Sequence, residues 1–181
     1  MNDVCLSFAK RSEQASSAYD HKRLMDIFCH GLAVLNDKIF QGLTLPNYPF
    51  DDDFGIDDWQ QLDKTLDIYV CDDTEGRALN LDARGKDYAT NILSYPSGLP
   101  SELLTAMQEI PLGELVICHD VLVRQAAEQG KSFADHLTHL VVHGVLHLLG
   151  FDHELGQDEQ EQMESLEIEI LARLGVGNPY D

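Results

Sequence analysis

The most constraining segment of the chain is 136–153, where histidines interrupt an otherwise apolar stretch. His143 and His147 are four residues apart, so on an α-helix their imidazoles lie on one face, one turn apart. Gly150 is able to adopt a left-handed conformation that ends the helix and turns His153 back towards the other two. Imidazoles buried in an apolar helix need a partner, and one metal ion would satisfy all three. The pattern therefore predicts a buried helix that carries a metal site.

Three histidines without a fourth protein ligand are typical of a catalytic zinc site, in which an open position holds water. Zinc lowers the pKa of that water to about 7, which makes a hydrolase the default expectation. We expect one zinc ion per chain, bound by His143, His147 and His153. The competing interpretation, core histidines bonded to carbonyl groups, fits a lone histidine better than three histidines with a glycine at these spacings.

The arrangement HxxxHxxGxxH resembles the zinc motif of the metzincin proteases. In that motif the residue after the first histidine is a glutamate, which serves as the general base. Here the same position is Gly144, which cannot accept a proton. The difference argues against proteolysis and requires another source of acid–base or charge-stabilising help.

The apolar periodicities predict an α+β fold: a small mixed β-sheet packed against helices, with a buried zinc-binding helix. Residues 1–19 are expected to be loosely held apart from a possible strand at 5–9, and 96–111 to form a loop. Residues 50–63 are expected to form a solvated loop or a short helix. In the last helix, apolar side chains are expected on one face and glutamates on the other. Helices are predicted at 20–40, 72–81, 120–129, 132–150 and 157–174, and strands at 65–71, 91–95 and 112–119.

The formal net charge of −20 argues for solubility and against a broad nucleic-acid-binding face. The acidic residues concentrate at 51–58 and 152–169, whereas Arg77, Arg84 and Lys86 lie close together. A local basic patch in an acidic protein is compatible with a polyanionic substrate held in one cleft. Composition alone would favour the alternative, that these three are ordinary surface cations.

The chain contains no apolar run near the roughly 20 residues that a membrane span needs. Residues 1–6 lack the basic start and the long apolar run of a signal peptide. The four cysteines are scattered without a Cys-x-x-Cys pair, which is typical of reduced, mostly buried thiols. We therefore expect a cytoplasmic protein that has no membrane partner.

From about residue 65 onward the chain resembles the YbeY family, metal-dependent endoribonucleases of ribosomal RNA maturation. Glu114 stands where the family often has aspartate, and Tyr95 where phenylalanine is common. Residues 1–60 match poorly and are expected to hold the family's first helix and edge strand, so that 1–181 form a single domain with a family-like core at 65–181. The resemblance is carried, in the family's order and spacing, by Leu79-Asn80, 84–87, 90–96, 112–118, 136–153 and the acidic helix ending in 177–180.

The resemblance implies zinc on the three histidines and a catalytic role for Arg84, in the turn 84–87. Phosphodiester cleavage builds charge on the phosphoryl oxygens, and a fixed guanidinium can pair with them bidentately. Without the resemblance, a turn arginine in a surface salt bridge would be the better interpretation.

Four further residues are candidates for weaker roles. Lys86 and Arg77 are candidate substrate contacts because both carry charges that suit phosphate. His139, one helical turn before the first ligand, is expected to line the substrate cleft, since a fourth ligand would leave no catalytic position. Asp152 could hydrogen-bond a ligand imidazole, or equally cap the turn after Gly150.

The resemblance implies a single-strand-specific endoribonuclease that acts in 16S rRNA 3′-end maturation and ribosome quality control. Its implied partners are single-stranded RNA, the small ribosomal subunit and assembly factors. Two alternatives stay open: a metalloprotease-like hydrolase, and a non-catalytic ribosome assembly factor whose zinc is structural. The sequence favours neither attack by water nor attack by the RNA 2′-hydroxyl.

Overall fold

The computed structural model describes all 181 residues and is built around one four-stranded sheet. In sheet order the strands are β1 (Asp3–Phe8), β2 (Asp63–Cys71), β4 (Glu109–Cys118) and β3 (Ile92–Pro96). Strands β1, β2 and β4 run parallel, and β3 pairs with β4 in the antiparallel direction. The prediction of an α+β fold with a small mixed sheet is therefore confirmed.

Seven α-helices surround this sheet. They are α1 (His21–Phe40), α2 (Ile56–Gln61), α3 (Asp73–Arg84), α4 (Ser101–Met107), α5 (His119–Glu128), α6 (Phe133–Leu148) and α7 (Gln157–Arg173). Helix α6 packs against β3 and β4 and is flanked by α1, α5 and α7. None of the helices has the length and the apolarity needed to span a bilayer.

Strand β2 shows why both faces of the sheet are covered. Successive side chains of a strand point to opposite faces. Ile68 and Val70 belong to the large core that contains the apolar side chains of α1, α6 and α7. Cys71 belongs to a smaller cluster, against which Leu79 of α3 packs. Helix α6 therefore lies on one face of the sheet and α3 on the other.

The N-terminal residues are held more firmly than the sequence predicts. Strand β1 pairs with β2 along its whole length, and a short 3₁₀ helix follows at Glu13–Ala18. The possible strand at 5–9 is confirmed and forms at Asp3–Phe8, where backbone pairing orders it even though many of its side chains are exposed. The expectation that the rest of 1–19 is loosely held is wrong, because the Ala9 backbone N–H donates to the Val70 carbonyl and Tyr19 is buried in the core. The edge strand and the first helix expected within residues 1–60 are both present.

The stretch 96–111 is not a loop. Helix α4 occupies its middle, and β4 already begins at Glu109. The prolines that suggest a loop lie instead at element borders: Pro96 ends β3, and Pro100 is the residue before α4. Pro111 lies within β4, where the pairing register with β2 shifts. A proline is tolerated at such a place because an irregular pairing does not need its missing N–H.

The four cysteines are free thiols. Cys71 and Cys118 are buried, as expected, but Cys5 and Cys29 are exposed. The expectation of mostly buried thiols fails for these two because Cys5 faces outward on the edge strand and Cys29 lies off the buried stripe of α1.

Candidate metal centre

Helix α6 carries two of the three predicted metal ligands. The hydroxyl of Ser132 caps the start of the helix by accepting a 3.0 Å hydrogen bond from the Asp135 backbone N–H. Most residues of the helix are buried, because it lies between the sheet and its neighbouring helices. The prediction of a buried helix in this place is confirmed.

A tight turn after α6 leads to the third histidine. Gly150 has a φ of 95°, and a Cβ there would lie 2.8 Å from Asn47. Asn47 donates from its backbone N–H to the Leu149 carbonyl (3.0 Å) and from Nδ2 to the Leu148 carbonyl (2.9 Å). These bonds satisfy carbonyls that the helix end leaves free. A residue outside the family-like core therefore holds the turn that leads to His153.

His143, His147 and His153 come together at one point. The ring centroid of His143 lies 4.6 Å from that of His147 and 5.2 Å from that of His153, and the other two are 5.2 Å apart. One ring nitrogen of each lies within 4.8 Å of the others, and Nε2 of His143 is 3.1 Å from Nε2 of His147. Nitrogens bound to tetrahedral zinc at about 2.05 Å are about 3.3 Å apart. The donor type, and the spacing of Nε2 of His143 and His147, therefore fit a metal ion such as zinc.

The surroundings of His147 favour the neutral imidazole, which is the form that binds a metal. Burial lowers the pKa of His147 to about 4, with the neighbouring His143 and His153 acting in the same direction. Asp152 and the Phe151 backbone oppose this shift more weakly. His147 is therefore uncharged, with a nitrogen lone pair free for a metal, at any pH near neutrality.

We expect the metal-free protein to lose stability as the pH falls from 6.5 to about 4. The unfolded chain protonates His147 near pH 6.5 and the folded chain only near pH 4, so protonation between these values favours unfolding. Denaturant unfolding of metal-free wild type and His147→Asn across this range measures the effect. The difference in unfolding free energy between the two proteins should change inside the window and level off above it. A difference that stays constant through the window would contradict the prediction.

A carboxylate that the sequence reasoning missed contacts the first histidine. The side chain of Glu167, on α7, is fully buried, and its Oε1 lies 2.6 Å from Nδ1 of His143. Its Oε2 accepts a hydrogen bond from the hydroxyl of Tyr180. Nε2 of His139 is 3.6 Å from the same oxygen, beyond hydrogen-bond distance.

The ionisation of Glu167 decides which nitrogen of His143 is free. Burial raises the pKa of Glu167, but the neighbouring His139 and the donors His143 and Tyr180 outweigh burial and lower the pKa to about 2. An ionised carboxylate only accepts hydrogen bonds, so Nδ1 of His143 carries the proton. Nε2 is then left with a lone pair that can bind a metal.

Helix α7 contradicts the expectation that its glutamates all face away from the core. Glu167 lies on the buried stripe of the helix between Met163 and Ile170, whereas Ile168, expected on the apolar face, is exposed. The reason is that Glu167 has polar partners in the site, so its burial is compensated. Its position four residues after Met163 and three before Ile170 is a signal that could have identified it, because a carboxylate on an apolar stripe needs a buried partner.

His139 lies beside the three-histidine cluster rather than in it. Both of its ring nitrogens are buried without a hydrogen-bond partner. Its ring meets those of His143 and Tyr180 edge-on, with centroids 6.2 and 6.1 Å away, and it lines a cavity of about 280 Å³. His139, His143 and Glu167 could themselves hold a metal, but only if the hydrogen bond between Glu167 and His143 were broken.

A larger cavity, of about 500 Å³, is lined by the three histidines together with Arg84, Ser94 and Tyr95. Arg84 is the last residue of α3, and Gly85 after it has a φ of 68°. The first residue of the predicted turn at 84–87 is therefore also the last residue of a helix. The guanidinium of Arg84 donates to Glu154 Oε1 at 3.3 Å, and both side chains are largely exposed. An exposed pair of this kind is weak, so a phosphate could replace the carboxylate.

The other candidate residues do not line this cavity. Arg77 donates two bonds of 2.7 Å to Asp87 and lines a different cavity. Lys86 is exposed and is absent from the cavity wall. Asp152 accepts a 2.8 Å bond from the Glu154 backbone N–H, so its observed contact is with the turn. The roles of Arg77 and Lys86 at the substrate, and of Asp152 at an imidazole, stay predictions.

Gly144 occupies the position at which a metzincin would carry its general base. A Cβ at this residue would lie 2.7 Å from Cδ2 of Leu115 and 2.9 Å from Cδ1 of Ile92. Both contacts are side-chain ends, but they are buried in a core where displacement is costly. The position therefore faces the sheet, and a larger residue there would have to displace Leu115 and Ile92.

The part of the chain that holds this site is similar to one protein family. Residues 55–175 match the sequence model of the family described as Endoribonuclease YbeY. A relative of that name from Psychrobacter cryohalolentis is 53% identical over 158 residues, which cover 87% of this chain and 100% of the relative. Another, from Psychrobacter arcticus, is 61% identical over 141 residues, which cover 78% of this chain and 67% of the relative. A solution structure of a Thermotoga maritima protein aligns over 95% of this chain and 91% of its own, at 18% identity and a TM-score of 0.49.

Proposed function

Because this chain belongs to the YbeY family of endoribonucleases, we propose that it cleaves phosphodiester bonds of single-stranded RNA at the three-histidine cluster, with one zinc ion as cofactor. The proposal rests on one observation: the three histidines and Arg84 line the same cavity. Phosphodiester cleavage places growing negative charge on the phosphoryl oxygens. A metal and a guanidinium facing the same space suit that charge.

The residues of the wall have separate roles in this proposal. His143, His147 and His153 hold the zinc, which when bound supplies Lewis-acid polarisation of the phosphate and lowers the pKa of water. Arg84 exchanges its bond to Glu154 for bonds to phosphoryl oxygens, which its planar guanidinium can contact in pairs. Position 144 is a glycine that faces the sheet, so it offers no general base, and the carboxylate that lines the cavity is that of Glu154.

We further propose that the substrate is the 3′ end of 16S rRNA in small-subunit precursors, in maturation and in quality control in the cytoplasm. The role in ribosomal RNA maturation that the family resemblance implies supports this setting. The net charge of −20 also supports it, because so acidic a protein is repelled by free RNA but attracted by basic ribosomal proteins and assembly factors. Lys86 and Arg77 would then contact RNA outside the cavity. In cells whose only copy is a zinc-binding-deficient variant, 3′-extended 16S rRNA should accumulate, and normal 3′ ends would refute this setting.

Metal content and RNA cleavage, measured on one preparation, test the biochemical proposal. We expect about one zinc per chain and internal cleavage of single-stranded RNA that stops on chelation and returns with added zinc. Zinc without cleavage of free RNA or ribosomal particles would favour the assembly factor with structural zinc. Zinc-dependent cleavage of casein would favour the metalloprotease-like hydrolase.

A further inference from the structure

The segment 175–181, which follows α7, folds back onto the candidate metal centre. The hydroxyl of Tyr180 donates to Oε2 of Glu167, and Oε1 of the same carboxylate is bonded to Nδ1 of His143 at 2.6 Å. Lys131 also contacts the segment, through a 3.3 Å hydrogen bond from Nζ to the carbonyl of Pro179. Two successive hydrogen bonds therefore join this segment to one of the three clustered histidines.

We propose that Tyr180 is a positioning residue for the metal centre: its hydroxyl fixes Glu167, and Glu167 fixes His143 with Nε2 turned towards the other two histidines. The inference rests on the proposed zinc site. It assigns to a residue outside the histidine motif a share in the affinity of the site for its metal.

Because Glu167 is buried, its carboxylate depends on the hydrogen bond from the Tyr180 hydroxyl. The Glu167 side chain is 0% exposed, so water cannot easily replace a lost donor. Without the hydroxyl, Nε2 of His139 lies 3.6 Å from Oε2, beyond hydrogen-bond distance. A buried carboxylate oxygen without a donor is costly, so the carboxylate would rotate towards new partners and loosen its hold on His143. His143 could then adopt the tautomer that carries its proton on Nε2. A protonated Nε2 has no lone pair with which to bind the metal.

The aromatic ring of Tyr180 contributes less to the contacts around the candidate metal centre than its hydroxyl does. The residue is 48% exposed, and its aromatic contact is an edge-on approach to His139, with centroids 6.1 Å apart. Phenylalanine at this position should therefore preserve the fold while removing one hydrogen bond. That separation of ring from hydroxyl makes a clean test possible.

Zinc affinity, measured by chelator competition on the full chain, tests the proposal. We expect Glu167→Gln to weaken zinc binding by about 10- to 100-fold and Tyr180→Phe by about 10-fold, the low end of this range. If Tyr180 acts through Glu167, the double variant binds no more weakly than Glu167→Gln alone. The matched control is Tyr69→Phe, which removes a hydroxyl that donates to a different glutamate, Glu75, at 2.9 Å and should bind zinc as the wild type does.

A second readout does not depend on metal. In the metal-free protein, ¹⁵N chemical shifts of the His143 ring should show the proton on Nδ1 in the wild type and a mixture of tautomers in Tyr180→Phe. Thermal unfolding of each metal-free variant shows whether the fold is intact. Zinc affinity of Tyr180→Phe within about twofold of wild type, or effects that multiply in the double variant, would overturn the proposal. A wild type that binds no zinc would instead refute the metal site itself, and the inference with it.

Discussion

Replacing His147 with alanine is expected to remove the bound zinc and the RNA cleavage together. Nε2 of His147 is 3.1 Å from Nε2 of His143, so the substitution takes one of three donors from the cluster. Two histidines fall short of the three protein ligands that a catalytic zinc site uses. The loss of an outer hydrogen-bond partner already costs about 10- to 100-fold in metal affinity, and the loss of a ligand should cost more.

Elemental analysis and a single-stranded RNA assay on the same sample measure both effects of His147→Ala. The control is His30→Ala, because His30 is an exposed histidine of α1 whose Nδ1 contacts the Asp26 carbonyl at 2.7 Å. Circular dichroism of both variants separates loss of metal from loss of fold. A folded His147→Ala protein that keeps one zinc and the wild-type cleavage rate would show that the cluster is not the metal centre.

Arg84→Ala is expected to keep the zinc and the fold but to slow RNA cleavage by about 100- to 1,000-fold. Among the residues that line the large cavity, Arg84 alone carries a permanent positive charge, so no other cation on the wall can replace its guanidinium at the phosphoryl oxygens. Stability should change by no more than about 0.5 kcal/mol, since the ion pair with Glu154 is exposed.

Cleavage rate, zinc content and thermal unfolding of Arg84 variants show whether the positive charge or the planar shape of the guanidinium matters for cleavage. Arg84→Lys retains the charge but lacks the planar group with paired donors, so an intermediate rate is expected. Arg84→Glu is less informative because it would set a carboxylate opposite Glu154. Arg173→Ala is the matched control: its side chain is also 42% exposed and it pairs with Asp37 at 3.0 Å. Full cleavage by Arg84→Ala would exclude this residue from the mechanism.

Elements whose order comes from their own apolar pattern could be predicted from the sequence. The sequence predicts helix α1 at 20–40, and the helix forms at His21–Phe40, because its buried side chains recur at helical spacing. Strand β1 and helix α4 depend on neighbours as well. The sequence predicts β1 only as a possible strand at 5–9, because its order comes from pairing with β2, 60 or so residues later in the chain.

The same distinction separates the parts of the site. The three clustered histidines lie on one helix and the turn after it, where spacing along the chain determines geometry. Glu167 reaches His143 across 24 residues, and Asn47 reaches Leu148 across 101. The apolar stripe of α7 indicates that Glu167 is buried, but the partners in both contacts follow from how α7 and the N-terminal part pack against α6, which no local pattern encodes.

The close approach of α6 to the sheet at Gly144 limits how such a site could change in evolution. Gly144→Glu is the single substitution that would complete an HExxH pattern, yet its Cβ would lie 2.7 Å from Cδ2 of Leu115 and 2.9 Å from Cδ1 of Ile92. A lineage, or a protein designer, adding a glutamate here would have to displace both of these core side chains or replace them with smaller ones. Acquiring an HExxH pattern on this scaffold therefore carries a cost in core packing as well as a change of catalytic group.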